Sequence, residues 1–243
     1  MKRAHSEMMK TSLRADLLEE MLNRFEKNKE ILEKAGWIVT DINSFEWWDG
    51  LKTADEILIS SILVQMTKWE LVKKIILKLR EKGLNNILKL ADLSEKEIED
   101  LIRGVNFYKT KAKRLKKLAE KVKEIGLLNL VKNKKMLKEI DGIGDETAEA
   151  LQLFIANLPV FPASAYSSRV LSRILDKEIS KKEAKELIEE YIGKDVYKLK
   201  LFHAGIVTIG KTYCFSKPKC DSCIFKDLCA YYKNVMKSET LRV

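Results

Sequence analysis

Proline is nearly absent from this chain of 243 residues, with three in all, and glycine is scarce, with ten. Both residues interrupt helices, so their rarity, together with Leu, Ile, Lys and Glu at helical spacing, points to an all-α protein. Strand patterning is missing as well, because no stretch alternates apolar and polar residues convincingly. Long hydrophobic runs are lacking: the longest, such as residues 57–64, fall well short of a membrane span, and no signal peptide precedes the first helix. A soluble intracellular protein without membrane contact is expected, and a monomer. Cysteine does not occur in the first 213 residues, and all four cysteines lie in the last thirty. What the chain does have is a 46% share of hydrophobic residues, enough for one large or two small cores, and a net charge of +10. The positive charge is spread through Lys-rich helices. That suits a nucleic-acid partner, and by itself it suits simple solubility equally well.

The chain is organised around Lys138-Glu-Ile-Asp-Gly-Ile-Gly-Asp-Glu-Thr-Ala-Glu-Ala150, which reads as a helix end, a Gly-x-Gly hairpin and a new helix start. Gly142 and Gly144 accept backbone angles closed to other residues, so the chain can reverse within a few residues and turn successive amides outward. A helix opening at about Asp145 adds the positive end of its macrodipole. Gly142, Ile143, Gly144 and Thr147 are therefore candidate contacts to a nucleic-acid phosphate. An ordinary helical corner has the same local sequence, and the basic charge favours the phosphate.

Residues 12–35 carry Leu and Met at helical spacing. Phe45-Glu-Trp-Trp-Asp49 reads as an aromatic core plug in preference to a base-stacking surface. Thr53-Ala-Asp-Glu56 and Ser94-Glu-Lys-Glu97 have capping-box spacing, and the helix begun at Thr53 stops at Gln65-Met-Thr67. Residues 53–157 are expected to form a bundle of about six short helices ending in the hairpin. Beyond them, Leu158-Pro-Val-Phe-Pro-Ala163 must be extended, and Ser164 is placed to cap a helix from Ala165. Residues 1–52 and 158–243 are expected to form a second, discontinuous helical domain, with a cleft between the two domains.

The cysteines are spaced Cys214-x5-Cys220-x2-Cys223-x5-Cys229. Four thiolates within sixteen residues of an intracellular chain indicate one metal centre, either a [4Fe-4S] cluster or an all-cysteine zinc site. Zinc sites usually use two separated Cys-x2-Cys pairs, so the single central pair favours the iron-sulfur cluster. Lys217, Lys219 and Lys226 crowd this loop, so the metal is expected to order a basic surface in preference to redox work on a substrate.

The Gly142-Ile-Gly144 hairpin, the cysteine tail and the segments between them resemble the helix-hairpin-helix DNA glycosylases, of which endonuclease III is the best-known member. The likeness covers about residues 50–232. Lys217-Pro-Lys-Cys-Asp-Ser-Cys-Ile-Phe-Lys-Asp-Leu-Cys229 is similar to that family's iron-sulfur loop at residues 214–229, with the first cysteine gap one residue shorter. Gln65-Met-Thr67 resembles the loop whose glutamine enters the gap left by a flipped nucleotide, and Asn106-Phe-Tyr-Lys-Thr-Lys-Ala-Lys-Arg114 matches another family segment. Trp47-Trp48, Phe107-Tyr108 and residues 142–148 look most like the alkylpurine (3-methyladenine) branch. The resemblance implies a DNA-repair enzyme that flips a damaged base out of duplex DNA and excises it.

Two departures refine that expectation. Where bifunctional members carry a lysine nucleophile, this chain has Glu146, which implies monofunctional hydrolysis by water. Where the family carries its catalytic aspartate, this chain has Ser164. Asp145 and Glu146 are the substitute carboxylates to consider beside Ser164. The alternatives are a lesion-binding protein of the same fold without chemistry and, more distantly, a structural zinc module that binds nucleic acid.

Overall fold

The computed structural model describes residues 2–234, and the described residues contain helices and turns without an extended strand. Contacts divide the chain into two compact units, one continuous (Ile42–Leu158) and one discontinuous (Met1–Asp41 with Pro159–Val243). Residues 42–52, expected to join the discontinuous unit, belong to the continuous one. The reason is aromatic packing: Trp47 is fully buried, and both it and Trp48 lie against Phe154, at ring-centre distances of 6.4 and 5.5 Å.

The discontinuous unit opens with α1 (Lys2–Lys27) and α2 (Lys29–Lys34). The continuous unit then contributes α3 (Ala54–Leu63), α4 (Trp69–Glu81), α5 (Ile87–Ala91), α6 (Glu95–Ile102), α7 (Tyr108–Ile125), α8 (Leu127–Lys132), α9 (Lys134–Lys138) and α10 (Asp145–Ala156). That is eight helices where the sequence suggested about six, because Gly126 at φ +83° ends α7 and Asn133 caps a further short helix. The chain returns to the discontinuous unit for α11 (Ala165–Leu175), α12 (Lys181–Ile192), α13 (Val196–Thr212) and a short turn at Cys220–Ser222.

Helix α3 is the centre of its unit. It is apolar on almost every side, and Glu56 through Leu63 are all buried. Its one buried charge, Glu56, is held by Arg80 through two bonds of 2.8 Å, by Asn85 at 2.9 Å and by the Lys52 amide at 2.7 Å. Burial alone would raise its pKa, but these partners outweigh that and lower it. The expected Thr53 capping box is therefore only half formed. The Thr53 hydroxyl accepts from the Glu56 amide, while the Glu56 carboxylate is drawn away to Arg80. Ser94 and Glu97 complete theirs.

In the discontinuous unit α13 has the same role, buried from Leu199 to Gly210. Phe25 of α1 crosses it so closely that a Cβ on Gly205 would lie 2.3 Å from the ring, so only glycine fits. Phe25 also stands edge-on to Phe202 and Phe225, which carries the packing from α1 through α13 to the cysteine loop.

Candidate functional site

The hairpin begins where α9 ends. Gly142 has φ +91°, which an L side chain rarely adopts, and a Cβ there would stand 3.0 Å from the Arg114 guanidinium. Gly144 is different. Its backbone is extended, and a Cβ would meet nothing within 4 Å. As N-cap of α10 it brings no capping side chain, so the first amides of the helix are left for an outside acceptor at the positive end of the dipole. Ile143 has a different role from the expected contact: its side chain is buried and its amide donates to the Ile140 carbonyl at 3.0 Å, so it anchors the hairpin from within. Thr147 lies half-buried in the first turn of α10.

The Gln65-Met66-Thr67 loop is bound to this hairpin. Gln65 Nε2 donates to the Gly142 carbonyl at 2.8 Å, and Gln65 Oε1 accepts from Arg114 Nη1 at 3.1 Å. The same guanidinium donates through Nε to Asp141 at 3.0 Å. Lys111, one turn earlier on α7, donates to the Leu63 carbonyl, the Gln65 carbonyl and the Thr67 hydroxyl. Asn106 adds bonds to the Met66 carbonyl and the Thr67 hydroxyl. Beside these contacts stand two exposed apolar side chains, Met66 at 79% and Phe107 at 67% exposure, each on a left-handed residue. Sequence reasoning missed Lys111 and Arg114, which look like any other basic residues of α7. Their three-residue spacing, which puts them on one helix face, was the available signal.

The three candidate catalytic positions have distinct surroundings. Asp145 is bonded by Lys134 at 2.9 Å and by Lys138 at 3.0 Å, which lower its pKa and keep it ionised in an ion-paired form. Lys134 also bonds Glu149, a buried carboxylate that the sequence did not single out, at 2.7 Å. Glu146 is exposed on the same turn. Ser164 is 1% exposed and caps α11: its hydroxyl accepts from the Ser167 amide at 3.2 Å, while Ser167 Oγ accepts from the Ser164 amide at 2.8 Å. The Ser164 oxygen is thus engaged in holding the helix start.

The four cysteines are free thiols and line one apolar pocket with Val170, Ile174, Ile209 and Phe225. Among the described residues no three His, Cys, Asp or Glu side chains are grouped tightly enough for a single metal ion. Four thiols that share one pocket are a donor set that suits a [4Fe-4S] cluster or an all-cysteine zinc site. Burial raises the Cys220 and Cys229 thiols and pushes Cys223 up to about 11. Thiolates there need the charge of a bound metal. The loop is framed by arginines. Arg173 donates to Cys214 Sγ at 3.1 Å and to the Phe215 and Ser216 carbonyls, and Arg169 donates to the Cys214 and Gly210 carbonyls. Arg24 grips Ile224 and Asp227. Lys217 and Lys219 are exposed on the loop. No described helix is long and apolar enough to cross a membrane.

Residues 59–194 match the family model described as the HhH-GPD superfamily base excision DNA repair protein. A provisionally named DNA repair glycosylase of Methanocaldococcus jannaschii is 30% identical over 84% of this chain and 98% of its own length. Among solved structures, a thermostable thymine-DNA glycosylase superposes with a TM-score of 0.72 at 23% identity, covering 91% of this chain and 97% of that one. A non-covalent endonuclease III-DNA complex superposes with 0.71 at 21%, covering 93% and 98%.

Proposed function

Because the chain belongs to the HhH-GPD superfamily of base excision DNA repair proteins, we propose that it is a monofunctional DNA N-glycosylase that extrudes a damaged base from duplex DNA and hydrolyses its N-glycosidic bond. The observation that carries this reading is the bond from Gln65 to the Gly142 carbonyl, which joins the candidate gap-filling side chain to the phosphate-binding hairpin. The α10 amides next to Gly144 bind a backbone phosphate, Gln65 and Phe107 enter the stack from beside it, and exposed Lys217 and Lys219 are phosphate contacts of the other unit.

In the reaction, water oxygen bonds to C1′ as the C1′–N bond breaks, its electron pair leaves with the base, and one water proton is released. Glu146 replaces the lysine that would form a Schiff base, so the sugar-phosphate backbone stays intact. Ser164 supplies no negative charge to the developing oxocarbenium ion, help that is typically worth about 10² to 10⁴ in rate. An N-alkylated purine is already cationic and departs neutral, so it demands least of such a site. For this reason, and from Trp47, Trp48 and residues 142–148, we place the chain nearest the alkylpurine branch, with deaminated bases as the second substrate class. Glu146 and Asp145 are the carboxylates proposed to act as a base, and Asp145 would do so from an ion pair with two lysines.

The cysteine pocket is suited to a [4Fe-4S] cluster held by Cys214, Cys220, Cys223 and Cys229. When bound, it would supply structural order to the basic loop. The engaged Ser164 hydroxyl favours a second reading, a lesion-binding protein without chemistry. Single-turnover base release from methylated, deaminated and oxidised duplexes tests both. Release from alkylated DNA is expected, and none from any duplex with protein in excess would leave the binder.

A further inference from the structure

Lys111, 1% exposed, is the one buried lysine of α7. Its Nζ lies 2.7 Å from the Leu63 carbonyl, 2.6 Å from the Gln65 carbonyl and 2.8 Å from the Thr67 hydroxyl. Three donors meet three acceptors, so the ammonium is fully used and is no candidate nucleophile. The Leu63 carbonyl is on the last residue of α3, a helix with no basic residue in its last turn, so Lys111 supplies from α7 the cation that end lacks.

The consequence falls on residues 65–67. Lys111 and Asn106 draw the Gln65 and Met66 carbonyls and the Thr67 hydroxyl toward α7. Met66 is left in the left-handed region with its side chain in solvent, and Gln65 points at the hairpin. Resting on the glycosylase reading above, the geometry points to Lys111 as a positioning residue for lesion recognition, whose ammonium fixes the loop from which Gln65 reaches the duplex. The role needs a lysine. A planar guanidinium cannot converge on three acceptors gathered around one point, and an apolar side chain would take the ammonium from the Leu63 carbonyl and leave the Gln65 carbonyl only the long 3.4 Å bond from the Thr67 hydroxyl.

The test compares wild type, Lys111→Met, Lys111→Arg and Thr67→Val in equilibrium binding to an undamaged duplex and to one carrying a stable abasic-site analogue. A 2-aminopurine opposite the analogue reports unstacking at saturating protein. Lys111→Met is expected to reduce the ratio of the two affinities about tenfold and to quench the 2-aminopurine signal, because loss of the donors frees the loop. Binding to undamaged duplex, set by the hairpin, should hold. Lys111→Arg should not restore the ratio, and Thr67→Val should lower it less. An unchanged ratio in folded Lys111→Met, or a parallel loss on both duplexes, overturns the inference. If circular dichroism shows that variant unfolded, Thr67→Val decides alone, and an unchanged ratio there overturns it equally. Wild type that fails to prefer the analogue would overturn the glycosylase reading itself, which separates the two failures.

Discussion

Gln65 and Gly142, separated by 77 positions in sequence, are joined by one hydrogen bond of 2.8 Å. Gln65 is also held at its other polar atom by Arg114, so in the free protein both ends of its amide are satisfied. Entering a duplex must exchange these bonds for bonds to bases. Gln65→Ala should therefore weaken binding to an abasic-analogue duplex by about ten- to a hundredfold while changing undamaged-duplex affinity little. Titrations with both duplexes read the difference, and equal losses would place Gln65 outside the stack.

The two hairpin glycines should separate folding from binding. Gly142→Ala forces a side chain to φ +91° against Arg114 and should cost about 1–2 kcal/mol of stability. Gly144→Ala meets no atom of the protein and should leave the melting temperature nearly unchanged, yet it puts a methyl group where a phosphate would approach. All duplexes should then bind more weakly by a similar factor, as salt-dependent titrations can establish. Full affinity in Gly144→Ala would argue that the phosphate lies elsewhere.

Protein purified without oxygen should be brown and contain iron at about four atoms per chain. Zinc without iron would overturn the cluster assignment. Arg173→Ala removes the donor to Cys214 Sγ and to two loop carbonyls and should speed bleaching in air, with little change in helix content.

Ser164 offers a direct test of the chemistry. Aspartate is as good a helix cap as serine, so Ser164→Asp should keep α11 folded while adding a carboxylate whose charge the helix dipole supports. Base release from alkylated duplex should accelerate by about tenfold or more. Slower release would indicate that another acid, with Glu146 first in line, already does the work. Glu146→Gln would then abolish activity.

Lys111 should leave a trace in alkaline titrations. Burial, with Arg114 nearby, pulls its pKa down to about 8. From about pH 8 to 10.5 the unfolded chain therefore holds a proton that the folded chain has released, and stability contributed by this group rises with pH. Denaturant melts of wild type should gain stability relative to Lys111→Met across that window. Parallel curves would mean that the ammonium is not perturbed.

The hairpin and the grouping of the cysteines were legible in the sequence because both are local: a turn needs its glycines within four residues, and the four thiols that share one pocket lie within sixteen. The helix starts at Thr53, Ser94 and Ser164 were legible for the same reason, since caps act over three residues. Lys111, Arg114 and Glu149 were not. Each gains its role from a partner brought close only by the fold, and nothing in a run such as Lys111-Ala-Lys-Arg114 says which cation is buried. The division of Glu56 between its cap and Arg80 was hidden in the same way, because a two-bond guanidinium contact to a buried carboxylate outweighs a capping bond.

Helix α3 is walled in from Glu56 to Leu63 and cannot slide or rotate without disturbing its whole unit. The loop it delivers is fastened at its carbonyls, so the freedom left beside the hairpin is that of side-chain rotamers at Gln65, Met66 and Phe107. Such rotations take picoseconds to nanoseconds, far less than domain rearrangements. On the proposed reading, a probe mounted in this way would inspect a passing base pair without the protein setting the pace, and the opening of the DNA would decide how long the search dwells at each step.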